Sequence, residues 1–342
     1  DPTTSTHDRD RPAFSWPRSF ARIPDEEWTR REIHAIGRAY DDVDDHGWYA
    51  NLDPVVEALD RELSAGDLLV DYSAGTGILE DRLRPRLAGR GVGILLVDAG
   101  ARFLRVALEK HRDDPSVGMR LLHRLRDEAR LQRLDEVLGE ELLARGVDAI
   151  AVANAIHLYP DLDDVIASWA RSLRPGGAVV VCSGNLHDPA AGADEWIIDE
   201  TVWEIGRIAA QAVRSDARYA AYRAVLDDER RMAAYDAVRD RVFLRPRPLA
   251  DYTAAFEAAG FDVVDVSHRA IEADVEQWGD FLSAYHDAVL GWVGGTLKAD
   301  GAEPSPEAVA DRLALMRAAL RELFGERPAF PASWTYITCR RR

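Results

Sequence analysis

Long apolar runs are missing from this 342-residue chain. None is long enough to cross a bilayer, which excludes a helical membrane span. Cysteine is nearly absent too. The two present, Cys182 and Cys339, are far apart and both fall in strand-like stretches. A disulfide framework and a zinc site are thereby excluded, and a reducing cytoplasm is the expected compartment. Lysine is reduced to Lys110 and Lys298, with arginine in its place, which suggests a GC-rich genome and carries no functional information. Positive charge is outweighed: the formal net charge is −17. That excludes a nucleic-acid partner, because binding a phosphate backbone requires clustered basic groups. The terminal Arg340-Arg341-Arg342 reads as a solvated end. The opening DPTTSTHDRDRPAF lacks the apolar core of a signal peptide and is expected to be a mobile tail. Histidines are scattered, with no ligand spacing, so no metal site is expected.

What is present is an ordinary globular mixture, 47% hydrophobic and 30% charged. Residues 12–50 carry aromatic and charged residues at helical spacing. PVVEALDRELSAG predicts a helix closed by Gly66. Apolar strands then alternate with helical periods: 67–73, 91–98, 118–125, 148–155 and 178–185 read as strands. The stretch DEARLQRLDEVLGEELLARG between the third and fourth reads as a helix. Residues 193–241 are helical in period, 261–270 give a sixth strand, 274–326 a second helical block, and 333–340 a seventh strand. Such alternation predicts a doubly wound, seven-stranded, mostly parallel sheet, with helical insertions after strand five and between strands six and seven. The expected segments are an N-terminal tail and helical segment (1–55), a Rossmann-like core (56–190, 246–273 and 329–342) and the two insertions (191–245 and 274–328).

The turn in LLVDYSAGTGILE (68–80) is where such a sheet presents a nucleotide-like ligand to a helix N-terminus. A phosphate-binding P-loop would need Gly-Lys-Ser/Thr, which is absent. A dinucleotide fingerprint starting at Gly75 would put its third glycine at Glu80. Asp71-Tyr72-Ser73-Ala74-Gly75-Thr76-Gly77 resembles the Asp/Glu-x-Gly-x-Gly-x-Gly motif of class I S-adenosylmethionine-dependent methyltransferases, with Ser73 replacing the first glycine. Asp98 in GILLVDAG matches that family's second acidic residue, Asn154 and His157 its Asn/Asp-x-x-His stretch, and Leu173, Pro175, Gly176 and Gly177 its turn before strand five. Ala259-Gly260-Phe261 matches the segment before strand six. The matches follow the family's order.

The resemblance implies S-adenosylmethionine as cofactor and S-adenosylhomocysteine as product. It implies cofactor contacts from Asp71, Ser73, Ala74, Gly75, Gly77, Asp98, Ala99 and Asn154, with Asp127 near the adenine. Asp127 is equally well explained as a helix N-cap. His157, at the C-terminal edge of strand four, is the candidate general base, and Tyr49 the second. Tyr40, His46, Trp48 and Tyr49 precede the first strand, where this fold often covers the cofactor; core packing explains them equally. The aromatic stripe Trp278, Phe281, Tyr285, Trp292 is expected to be core. The resemblance implies methyl transfer to a small, apolar or aromatic biosynthetic metabolite, with a homodimer through the insertions as a further expectation. Non-methylating chemistry on the same cofactor, and a non-catalytic binding protein, are the alternatives.

Overall fold

The computed structural model describes residues 11–42, 46–297 and 300–342. The first ten residues, expected as a tail, and Lys298 lie outside that range. Seven strands form one sheet: β1 (Leu68–Tyr72), β2 (Gly93–Asp98), β3 (Val117–Leu121), β4 (Val147–Ala153), β5 (Leu173–Ser183), β6 (Phe261–Asp274) and β7 (Ala329–Arg341). Their spatial order is β6-β7-β5-β4-β1-β2-β3. All pairings from β3 across to β5 are parallel, and β7 runs antiparallel between β5 and β6. The doubly wound sheet and its seven strands are as the sequence predicts.

The sheet is central because its strands are apolar on both faces, as a parallel sheet covered on two sides requires. Leu69, Ile94, Leu96, Ala149 and Val180 face one core with α1 (Asp53–Glu62), α2 (Ile78–Leu87) and α3 (Ala101–His111). Leu68, Val70, Leu95, Val97 and Ile150 face the other, with α4 (Leu162–Ser172) and α7 (Leu249–Ala258). Trp169 of α4 is fully buried there, against Tyr72 and Phe256.

Two helical groups interrupt the sheet sequence. The first contains α5 (Thr201–Ser215) and α6 (Glu229–Val242); the second contains α8 (Val275–Ala284) and α9 (Pro306–Phe324), whose Ser305 N-cap accepts from the Ala308 N–H. They share the first core, where α5 meets α9. Trp278 of α8 ties the groups together by donating its indole N–H to Thr201 Oγ1 at 2.8 Å. Among the described residues, no helix is long and apolar enough to cross a membrane.

Two expectations are corrected. The described residues of 12–50 are largely irregular, with one helix among them at Ala35–Asp41 and short 3-10 turns at Glu27–Arg30 and Gly47–Leu52. The stretch around Phe14–Arg22 instead lies along β2 and β3. Phe14 donates to the Gly91 carbonyl, Arg22 accepts from the Met119 N–H, and the Phe14 ring occupies the space a Cβ on Gly93 would fill. The helix expected from Asp127 begins only at Leu134. Before it, Arg124–Leu125 pairs antiparallel with Arg130–Leu131 through a turn containing Ala129 at φ 52°.

Candidate functional site

A cavity of about 770 Å³ opens over the C-terminal ends of β1, β2, β4 and β5. Sheet order reverses between β1 and β4, and such a switch point is where open α/β sheets take ligands. Each strand delivers residues to the wall: Tyr72 and Ser73 from β1, Asp98 and Ala99 from β2, Ala153 and Asn154 from β4, and Gly184 and Asn185 from β5.

The turn after β1 is held to the neighbouring strand and to Asp98. Ser73 and Ala74 donate backbone N–H groups to the Val97 carbonyl at 2.7 and 3.1 Å. Gly75 donates to Asp98 Oδ2 at 2.8 Å, and Gly100 to Oδ1 at 2.6 Å. Burial raises the Asp98 pKa above the ordinary carboxylate range, while the N–H groups of Gly100, Gly75 and Ala99 draw it back. Gly75 sits at φ 58°, and a Cβ there would lie 3.7 Å from the Tyr40 ring, so glycine leaves that gap open. Tyr40 and Phe103 face one another at 5.0 Å between centroids and give this end of the cavity an apolar side.

Ser73 takes φ 66°, the left-handed conformation a glycine would adopt freely. Its hydroxyl is hydrogen-bonded to the Tyr159 hydroxyl, which also lines the cavity. The glycine-like geometry therefore survives the substitution, with Tyr159 as the serine's partner.

Asp71 does not reach the cavity wall. It is 2% exposed beneath the turn, against Glu80 at the start of α2, and Glu80 is fully buried. Neither Glu80 oxygen nor Asp71 Oδ2 has a hydrogen-bond partner among the described residues, which a proton shared between the two carboxyls would supply. Burial raises both pKa values. The Glu80 charge raises Asp71 further, whereas the bond to Asp71 opposes the rise at Glu80, which stands at about 7. A carboxyl whose pKa is higher folded than unfolded stabilises fully below its unfolded value. It loses that contribution as pH rises through the folded one. The pair's stabilising contribution should therefore be lost as pH rises from about 4.5 through 7. Glu80→Gln supplies a permanent donor to Asp71, so its stability relative to wild type should grow between pH 5 and 8 in denaturant titrations. A gap independent of pH would remove the shared proton.

Gly77, at φ 82°, points its open side at His111 Nε2 and away from the cavity, and Ala74 also lies off the wall. Ala99 is on it. Asn154 lines the cavity at φ 57°, with its amide used in the fold: Nδ2 donates to Asn51 Oδ1, and Oδ1 accepts from Trp334 Nε1, both at 2.9 Å. His157 also lines it, with Nδ1 3.2 Å from Ser183 Oγ. Burial, aided by the Arg247 guanidinium, lowers its pKa to about 4, so the ring is neutral at neutral pH and weakly basic. Tyr49 is on the wall and hydrogen-bonded to Tyr40. Asp127 is exposed on the turn of the short hairpin and off the wall; Leu122, Ala129 and Leu131 line the cavity there.

The remaining wall comes from the helical groups. The aromatic stripe expected to be core divides: Trp278, Phe281 and Tyr285 line the cavity, and Trp292 is buried off the wall. Trp278 stacks on Phe281 at 5.3 Å, Phe281 meets Tyr285 at 5.0 Å, and Trp48 closes edge-on against Trp278 at 6.1 Å. Asp199, in the 3-10 turn Ile198–Glu200 before α5, also lines the cavity, as does Phe243 beyond α6. Sequence reasoning missed Asp199, Asn185 and Tyr159. The only signal for Asn185 is its place directly after strand five, and Asp199 has none among its acidic neighbours.

No protein-family model matches the chain, and no curated protein matches it in sequence. Solved structures of similar shape include the YcgJ protein of Bacillus subtilis, at 16% identity and a TM-score of 0.48 over 86% of this chain and 99% of that one. A Geobacter sulfurreducens S-adenosylmethionine-dependent methyltransferase in complex with S-adenosylhomocysteine is similar at 15% identity and a TM-score of 0.43, covering 86% and 91%. Haemonchus contortus phosphoethanolamine N-methyltransferase 2 is similar at 15% and 0.43; the match takes in 86% of this chain and about half, 53%, of that protein. These are distant likenesses, and the site stands on its own geometry. The strand order, with the antiparallel β7 between β5 and β6, gives the chain a doubly wound, Rossmann-like fold.

Proposed function

We propose that the chain is an S-adenosylmethionine-dependent methyltransferase acting on a small molecule with an apolar or aromatic body. The observation that carries this is the contact between the Gly75 N–H and Asp98 Oδ2 on the wall of a cavity at the sheet's switch point. It brings together the two elements a nucleoside with an amino-acid tail requires. A carboxylate offers about four lone-pair directions. Asp98 spends up to three on the N–H groups of Gly75, Gly100 and Ala99, leaving at least one for a ribose hydroxyl. Tyr40, Phe103, Ala99 and Leu122 supply apolar surface for a purine. The volume also suits the pair, since sites for drug-sized ligands run to about 300–1,000 Å³.

When bound, the cofactor supplies a methyl group made electrophilic by the adjoining sulfonium. The chain's task is then to hold the acceptor and exclude water. The aromatic wall from Trp48 to Tyr285 excludes water and favours a flat or apolar acceptor. His157, neutral and fixed by Ser183, suits a hydrogen bond to the acceptor better than removal of a tightly held proton. S-adenosylhomocysteine, the expected product, should raise the unfolding free energy by about 2.7 kcal/mol at a hundred times its dissociation constant. Thermal shifts with S-adenosylmethionine, S-adenosylhomocysteine, NAD and NADP test this directly. Stabilisation by a nicotinamide dinucleotide alone would overturn the proposal.

A further inference from the structure

The walls contributed by β5 and the helical groups carry acceptors that the fold leaves unused. Asn185 is 2% exposed; its Nδ2 donates to the Leu244 carbonyl at 3.1 Å, which fixes the amide's orientation, and its Oδ1 is buried with no donor. Asp199 lies on the same cavity, and its carboxylate has no hydrogen bond or ion pair with any described residue. Burial alone raises its pKa, to about 7, with no neighbouring cation to offset the rise. Two indole N–H groups on the cavity are already committed, that of Trp278 to Thr201 and that of Trp334 to Asn154. A buried amide oxygen without a donor costs the fold free energy unless a ligand supplies one, and the half-buried Asp199 carboxylate beside the same cavity is without a counter-charge.

Aromatic side chains, with Ile198 and Val242, make up the rest of that wall. Trp48, Trp278, Phe281 and Tyr285 form a continuous series with centroids 5.0–6.1 Å apart along it. Aromatic faces attract cations, more strongly where water is excluded. The arginines on the cavity lie toward the short hairpin, where Arg124 points its guanidinium at the Ala129 carbonyl. Arg130 pairs with Glu128 and Glu136, and Arg133 with Asp161. They leave Asp199 unneutralised.

Resting on the methyltransferase proposal, we infer that the acceptor carries an amino group bound as its ammonium ion, which anchors the molecule by donating to Asp199 and Asn185 Oδ1 and is not itself methylated while charged, with the apolar body against the Trp48–Trp278–Phe281–Tyr285 wall. A neutral alcohol of the same shape supplies one donor and no charge, and a carboxylic acid would face Asp199 with like charge. The acceptor class is thus set by the protein's own unpaired groups.

The test is calorimetric and needs no turnover. Benzylamine, phenethylamine and 4-phenylbutylamine are each titrated against the matching alcohol, with and without S-adenosylhomocysteine, into wild type and Asp199→Asn. At least one amine should bind wild type about tenfold or more tighter than its alcohol, the strength expected of a charge-assisted contact in a water-poor site. That preference should vanish in Asp199→Asn, with S-adenosylhomocysteine affinity unchanged. Equal binding of every amine and its alcohol, or a preference that survives Asp199→Asn, overturns the inference. Failure of wild type to bind S-adenosylhomocysteine overturns the methyltransferase proposal, while the titrations without it still decide whether Asp199 selects a cation.

Discussion

Asp98→Ala should weaken S-adenosylhomocysteine binding by at least about a hundredfold, equivalent to about 2.7 kcal/mol. The carboxylate anchors the cavity wall from two sides, through the Gly75 N–H at 2.8 Å and the Gly100 N–H at 2.6 Å. Hydrogen bonds to a charged acceptor contribute about 1.5–3 kcal/mol each. Alanine releases both donors, so the glycine turn loses its fixed position and the ribose loses its acceptor together. Asp98→Asn keeps one carbonyl oxygen and should lose less. Asp127→Ala, an exposed change on the hairpin turn, should leave affinity unaltered. Titration calorimetry on the three variants distinguishes these outcomes; an unchanged affinity in Asp98→Ala would remove Asp98 from the site.

The second large effect lies away from the ligand. Arg312, in the middle of α9, has no exposed side-chain surface. Its guanidinium donates to the carbonyls of Val293 at 2.8 Å and Gly291 at 2.9 Å, and to Asp287 Oδ1 at 2.6 Å. It thereby pins residues 287–293, directly after Tyr285, against α9. Methionine fills similar volume but supplies no donor, leaving the buried carbonyls of Gly291 and Val293 without theirs and taking one of several contacts from the partly exposed Asp287. Leaving buried acceptors unsatisfied costs about 1–3 kcal/mol. Arg312→Met should therefore lower the urea midpoint by that equivalent at an unchanged slope. The loop beyond Tyr285 should also become cleavable by protease under native conditions. A midpoint within experimental scatter of wild type would show that the loop is held by other contacts.

The sheet and its switch point were legible in the sequence because parallel strands buried on both faces read as unbroken apolar runs. Asp98 and Gly75 were legible because strand ends and glycine turns leave local marks. Asp71 shows the limit of such marks. It occupies the motif's first position, yet the turn carries Ser73 and Gly75 to the cavity and leaves Asp71 beneath, facing Glu80. The hairpin at 124–131 defeated its helical periodicity through antiparallel pairing and a residue at positive φ, choices made by tertiary contacts. Asp199 was invisible for a different reason. Whether one carboxylate among many in an acidic chain lacks a partner is decided by what packs around it. The same holds for the aromatic stripe, whose helical spacing is identical whether a residue faces a core or a cavity.

The position of β7 has a consequence during synthesis. It lies between β5 and β6, so β6 has no neighbour until β7 exists. The 54 residues from 275 to 328 separate the two strands. At about 5–20 residues per second on the ribosome, β6 waits roughly 3–11 seconds without its partner. Even afterwards it remains the outer edge of the sheet, with Val264 51% and Val266 42% exposed. Asp262, Asp265, Glu272 and Asp274 along the strand place negative charge where a nascent edge would otherwise invite pairing with a neighbouring chain.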